Sequence, residues 1–206
     1  MSTGVRIGLD MSLNSTGMAI IEGKNIFLIF KPQTQQQRHI NWQSNIQGYH
    51  VTIRPFSFTK TVPVLKPGTT SSNREKKRIQ SQKAAGVIDA VLQEIQDITQ
   101  DPVTVYIEDY AYGMTNSSSQ SVLHELGGGL KYMLVKKNIV FETISPSSAK
   151  KRFAGSGRAT KLDMYAALQD QLPIPLWTIF KKKKHRAKIP NPIQDIVDAF
   201  ALAWIQ

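Results

Sequence analysis

Val5-Arg6-Ile7-Gly8-Leu9-Asp10, followed by the polar turn Met11 to Gly17 and then Met18-Ala19-Ile20-Ile21, is the stretch whose reading decides the fold. Val5, Ile7 and Leu9 alternate with Arg6, Gly8 and Asp10, which is the period of a strand with two different faces. A second apolar run begins directly after Gly17, so the pattern predicts a β-hairpin. Asp10 falls where the first strand runs out. Gly8 shares its face and is expected to leave open space beside it. A carboxylate at a strand end, over a small residue, can hold a metal ion.

Composition narrows the partners. The chain has 206 residues, with 26 Lys and Arg against 15 Asp and Glu, a formal charge of +11. That length suits a single domain, 1–206, with insertions, and the charge favours polyanions such as nucleic acid. No apolar run approaches the roughly 20 residues of a membrane span, so no membrane partner is expected. There is no basic-then-apolar leader pattern and no cysteine, which points to the cytoplasm and excludes thiolate metal sites. The four histidines form no i,i+4 pair. Any metal here is therefore expected to be hard and carboxylate-bound, magnesium or manganese.

Outward from the hairpin, Ile26 to Phe30 reads as a strand. Residues 32–48 are rich in Gln and Asn and show no pattern; with the Pro- and Gly-containing loop that follows, 32–72 reads as an insertion interrupted by a short strand at Val51 to Ile53. A long helix is predicted from near Asn73, carrying Ala84, Val87, Ile88, Val91, Leu92, Ile95 and Ile98 at helical spacing. Its first turns hold Arg74, Lys76, Lys77, Arg78 and Lys83, either a solvated face or one turned to DNA. Val103, Val105 and Ile107 then alternate with Thr104, Tyr106 and Glu108, repeating the first strand's design with an acid last. Ser117 to Lys137 reads as a second helix. Gly127-Gly128-Gly129 within it predicts either close backbone packing, for instance against a second subunit, or a break. Ile139 to Ile144 is a further strand, ended by Ser145-Pro146. Thr160 can cap a helix from Lys161 to about Leu172, and 181–188 is a basic loop.

The last helix says most. Asn191 is expected as its N-cap and Pro192 as its first residue. Ile193, Ile196, Val197, Phe200 and Trp204 form one stripe, yet the opposite side carries Ala199, Leu202 and Ile205, so the helix should be buried nearly all round. Asp195 and Asp198 lie in it on neighbouring positions of one face. Burying two unpaired carboxylates would cost several kcal/mol each. A divalent cation is the natural compensation.

Taken together, Asp10, Glu108, Asp195 and Asp198 resemble the acidic set of the RuvC-like Holliday junction resolvases, within the RNase H-like nuclease superfamily. Asp10 with Thr16-Gly17 matches the family's first motif in spacing, and Ile107-Glu108 its second. Gly155-Ser156-Gly157-Arg158-Ala159-Thr160-Lys161 is similar to its Gly-x-Gly-x-Ala-x-Lys loop. Asn191-Pro192-x-x-Asp195-x-x-Asp198-Ala199-x-Ala201-x-Ala203 resembles its closing helix. The stretch 32–72 and the run Lys181 to Lys188 depart from the family pattern.

The resemblance implies an α/β fold with a mixed central sheet, the first strands forming an antiparallel hairpin, and helices on both faces. It implies that the strand of Asp10 lies beside that of Glu108, with the last helix laying Asp195 and Asp198 across both. It implies two magnesium ions per site, replaceable by manganese, and hydrolysis of DNA at four-way junctions and other branches. Asp10 would bridge the ions, Glu108, Asp195 and Asp198 would complete their shells, and Lys161 would neutralise charge on the scissile phosphate. Lys150, Lys151, Arg158, Lys161, Lys181, Lys182, Lys183, Lys184 and Arg186 would grip DNA, with Tyr110 or Tyr112 stacking on a base. A homodimer would make paired nicks. Two other readings are compatible with the residues: another nuclease of the same fold, acting on RNA–DNA hybrid, ribosomal RNA precursor or flaps, and a non-enzymatic nucleic-acid binder. The compact size and the insertion suggest a phage or viral origin; in a eukaryotic host the basic run would suit a nuclear address.

Overall fold

The computed structural model describes residues 4–57, 72–98, 102–109, 118–182 and 188–204. Tyr110, Tyr112, Lys183, Lys184 and Arg186 lie outside the described residues. The chain begins as a three-stranded meander, β1 (Val5–Asp10), β2 (Gly17–Glu22) and β3 (Asn25–Phe30). A 3-10 turn (Gln36–His39) leads into a hairpin of β4 (Trp42–Ile46) and β5 (Tyr49–Pro55). Then follow α1 (Asn73–Ile98), β6 (Val103–Glu108), α2 (Ser118–Lys136), β7 (Val140–Ile144), α3 (Pro146–Ala154), α4 (Lys161–Gln171), the short α5 (Leu176–Ile179) and α6 (Ile193–Ala203).

The seven strands make one mixed sheet in the order β4-β5-β3-β2-β1-β6-β7. β5 runs parallel to β3, β6 to β1 and β7 to β6. β1, β3, β5, β6 and β7 therefore all finish at one end of the sheet. The expected hairpin lies at the middle of it. The stretch 32–48, patternless in sequence, supplies the edge strand β4, and 49–55 is a full strand rather than three residues.

Alternation along the strands makes two cores. On one face, Ile7, Leu9, Val105 and Ile107 pack against Val87, Val91 and Ile95 of α1 and Leu126, Leu130 and Leu134 of α2. On the other, Ala19, Ile21, Leu28, Val51 and Ile53 meet α4 and α6. The triple glycine does not break α2. Gly127 is buried, and a Cβ on Gly129 would come within 2.9 Å of Ile88 Cδ1, so the close packing is against α1 of the same chain; Gly128 is exposed. On the α1 face one ion pair is sealed in: Glu94 of α1 is fully buried and takes Arg54 Nη1 and Nη2 at 2.9 and 2.6 Å and the Ser57 amide at 2.7 Å.

Ser145-Pro146 does more than end β7. Ser145 Oγ accepts the Ser148 amide and Pro146 opens α3, a helix the sequence pattern did not predict. Gly155 stops it in the left-handed region, at φ 78°, where a residue without Cβ is unstrained. Thr160 then caps α4 as expected, in a reciprocal box with Asp163.

Candidate active site

The sheet brings the first two acids together by register. Leu9 pairs with Ile107 across parallel strands, so Asp10 and Glu108, the next residues, finish side by side on one face. Asp10 is also the cross-strand partner of Gly17.

Two glycines bring in the other two acids. A Cβ on Gly8 would lie 2.0 Å from the Ala199 carbonyl oxygen and 2.6 Å from the Ala203 nitrogen; one on Gly17 would lie 2.1 Å from the Asp195 carbonyl oxygen. The backbone of α6 thus rests directly on β1 and β2. The space expected over Gly8 exists, but the helix fills it. Because Gly17 faces Asp10, seating Asp195 on Gly17 carries its carboxylate to the end of β1, and Asp198 follows one turn on.

The helix is buried all along its length except at Gln194 and Asp198. Fully burying Ile193, Ile196, Val197, Phe200 and Leu202 stabilises by roughly 1.5–3 kcal/mol each. That offsets the several kcal/mol each buried carboxylate costs, and lets an acidic helix dock.

The start of α6 differs from expectation. The helix begins at Ile193, Pro192 occupies the cap position, and no side chain caps it. Asn191 Nδ2 donates instead to Ser15 Oγ at 2.7 Å, and Ser15 Oγ donates to Asp195 Oδ1 at 2.8 Å. Ser15 is set by its own turn, where its amide donates to Ser12 Oγ at 2.9 Å and Thr16 Oγ1 donates to the Ser12 carbonyl at 2.7 Å. One oxygen of Asp195 is thereby fixed, while the other, Oδ2, is buried with no hydrogen-bond partner.

All four carboxyls are pushed up from their ordinary values. Burial raises Asp10 well above the usual carboxylate range, aided by Asp198, Glu108 and Asp195 and opposed by Lys161. Burial and then Asp198 lift Glu108 to about 7, against Lys150. Burial lifts Asp195 to about 6, with Asp198 adding and the Ser15 hydrogen bond and Lys161 opposing. Asp198 is raised by burial, against Gln194, Lys161 and Lys150. This is mutual repulsion among desolvated anions. The charge coupling and the ligating geometry differ, however. Among the described residues no group of three or more His, Asp or Glu side chains stands close enough to hold an ion as placed. The four acids share a field but not yet a cage.

Of the cations, Lys161 opens α4 and donates to Gln194 Oε1 at 2.6 Å, and Gln194 Nε2 reaches Asp198 Oδ2 at 3.3 Å. Lys150 of α3 is near enough to bear on Glu108 and Asp198. Lys151, Arg158, Lys181 and Lys182 are exposed. Ser15 and Gln194 were not singled out in sequence, and Asn191 was read as a helix cap rather than as the partner of Ser15. Ser15 only flanks a motif position, and Gln194 lies between the cap and Asp195 with nothing to mark it.

A hard divalent cation suits the chemistry of this donor set: oxygen ligands only, negative charge that Lys161 and Lys150 offset only in part, and a buried orphan oxygen on Asp195.

A mixed seven-stranded sheet with helices on both faces and the first hairpin at its centre is an α/β fold of the RNase H-like type. More particularly, it is the fold of the RuvC-like resolvases. Thermus thermophilus RuvC in complex with a Holliday junction substrate matches it with a TM-score of 0.51, over 97% of this chain and 90% of that one, at 12% identity. The yeast mitochondrial Holliday junction resolvase matches with a TM-score of 0.50, over 96% of this chain and 75% of that one, at 10% identity. No family model and no curated protein sequence matches the chain. The likeness is one of fold.

Proposed function

We propose that this chain is a metal-dependent endonuclease that resolves four-way DNA junctions. One observation carries the reading: Asp195, buried on an otherwise apolar helix with Oδ2 unpartnered, is seated by Gly17 at the end of the strand that carries Asp10. A protein that used its positive charge only to bind nucleic acid would have no need of acids in such places. The two resolvases of like fold support the choice of substrate.

Asp10, Glu108, Asp195 and Asp198 are the proposed holders of two magnesium ions, which when bound supply a hydroxide near neutral pH and steady the charge on the scissile phosphate. Ser15 and Asn191 aim Asp195, keeping one oxygen occupied so that the other faces the site. Gln194 ties Lys161 to Asp198, which keeps a cation beside the phosphate position. Lys150, Lys151 and Arg158, with Lys181 and Lys182, add exposed or half-exposed positive charge for sequence-tolerant contact with backbone phosphates. A second copy docked on α2, where Gly128, Tyr132 and Val135 form an exposed stripe, would present two sites to a junction that is itself nearly two-fold symmetric.

The test is cleavage of an immobile four-way junction, with a hybrid and a flap alongside, by wild type and Asp10→Asn. Paired, magnesium-dependent nicks across the junction, lost in the variant, are expected. Equal cleavage by the variant would sink the metal site. Cleavage of hybrid or flap alone would reassign the substrate.

A further inference from the structure

We propose that the first turns of α1, through Arg74, Lys76 and Lys77 with Lys83 and Lys31 behind them, form a second phosphate-gripping surface that holds a DNA arm on the side of the sheet opposite α3 and α4. This rests on the DNA-directed reading above and adds a contact that the catalytic face does not supply.

Two anchors place α1. Glu94 is tied to Arg54 and to the amide of Ser57, just past the end of β5. Lys83 stands near Lys31, just past the end of β3, whose amide donates to the Thr16 carbonyl in the turn after Asp10. β3 and β5 both finish at the end of the sheet where β1 finishes in Asp10. The chain enters β6 at the opposite end of the sheet soon after α1 ends, so the N-terminal part of α1 is the part toward the carboxylate end, and residues 73–82 continue past Lys83.

That continuation is not core. From Asn73 to Gln82 every residue is exposed except Ile79. A helix exposed on nearly all sides gains little from packing, and its composition must answer to something else. Arg74, Lys76, Lys77 and Arg78 stand against one acid, Glu75, whose carboxylate lies 3.7 Å from Arg78. Arg74, Lys76 and Lys77 are the cations left over from that pair.

At the base of the segment, half-buried Lys31 has its ammonium held below the usual range by burial and then by Lys83. The Lys31 ammonium already donates to the Leu13 carbonyl, but that bond leaves the repulsion from Lys83 in place, and a phosphate oxygen beside the two cations would relieve it. The acids thus lie between two basic banks: Lys150 and Lys161 on the α6 face, and α1 on the other. A branched duplex has arms leaving in more than one direction, and two banks would grip two of them.

Binding to an immobile four-way junction and to a plain duplex of the same length is measured in EDTA, without cleavage, as a function of salt. Arg74→Gln/Lys76→Gln/Lys77→Gln, all exposed and outside the proposed catalytic machinery, is compared with Lys24→Gln/Lys136→Gln/Lys137→Gln, which removes equal charge from the far end of the sheet. Each phosphate contact contributes about 0.9 to the slope of log K against log salt. The α1 triple variant is expected to lower that slope by about 2–3 and to weaken junction binding by about tenfold or more; the far-end triple should change the slope by less than about 1. Unchanged affinity and slope in the α1 variant, or an equal loss in the far-end variant, would overturn this inference while leaving the proposed nuclease intact. Failure of the wild type to bind either DNA would overturn both.

Discussion

Glu94 and Asp195 are both carboxylates buried on helices, on opposite faces of one sheet, and they are treated in opposite ways. Glu94 has every partner it needs: a forked pair of bonds from Arg54 and a backbone amide. Burial alone would raise its pKa, but those hydrogen bonds and the guanidinium charge overcome it and hold the group below its ordinary value. Asp195 has one hydroxyl on Oδ1, nothing on Oδ2, and a pKa lifted to about 6. A carboxylate that serves the fold is saturated by the fold. One left half-satisfied at an energetic cost marks a place where something else is meant to bind.

The sharpest way to break this contrast is to neutralise Asp195. Asp195→Asn is expected to reduce magnesium-dependent cleavage by about a thousandfold or more, while raising stability in metal-free buffer by about 1 kcal/mol through relief of desolvation and of repulsion from Asp198. Urea denaturation in EDTA checks the second half. A variant that loses stability would show that Asp195 is as structural as Glu94.

Arg54→Met performs the reverse operation on the other face. It leaves Glu94 buried without its cation, and should cost about 3–5 kcal/mol. Junction cleavage per folded molecule should be unchanged. If the loss is under about 1 kcal/mol, Glu94 is not the sealed anchor it is taken for here.

The two groups also oppose each other in pH. Glu108 at about 7 and Asp195 at about 6 bind protons in the folded chain where the unfolded chain has released them. Their contribution to stability is full below the unfolded carboxylate range near pH 4 and is lost as pH rises toward 7. Glu94, depressed, contributes above the unfolded value and loses that contribution as pH falls below it. Metal-free protein should therefore be most stable near pH 5, and weaker at pH 7.5 by about 1–2 kcal/mol after allowance for screening. Magnesium should remove that decline, because it favours the ionised carboxylates. A flat profile from pH 5 to 7.5 in EDTA would contradict the coupled site.

The same division explains what was legible in the sequence. Asp10 and Glu108 stood out because each closes an alternating strand, Asp195 and Asp198 because they interrupt an apolar helix, and the strands and helix that carry them were legible from those patterns. Strand β4 was not, since Gln43, Ser44 and Asn45 of this edge strand are all exposed and leave no alternation to find. Helix α3 was hidden because Ser145-Pro146 reads equally as a strand stop and a helix start. Asn191 looked like a cap, and only its position opposite Ser15, 176 residues away in sequence, redirects it. Gly17 looked like turn punctuation, yet its missing side chain is what seats α6. Contacts between distant polar residues have no period, so no scan along the chain could find them.

The smallest expected effect tests the finest part of the contrast, the way Asp195 is aimed. Ser15 Oγ accepts from Asn191 and so must turn its hydrogen toward Asp195 Oδ1. Ser15→Ala removes that bond and leaves the half-buried Asn191 side-chain amide and a buried carboxylate short of partners, at a cost of about 1 kcal/mol. If the hydroxyl only fills space, stability falls and nothing else changes. If it orients Asp195, the magnesium concentration for half-maximal cleavage rises about tenfold, as for other groups that steer metal ligands, and stabilisation by magnesium in a thermal melt shrinks with it. Ser15→Thr keeps the hydroxyl and should recover both. A Ser15→Ala protein with an unshifted magnesium requirement would mean that the occupied oxygen of Asp195, unlike those of Glu94, needs no partner.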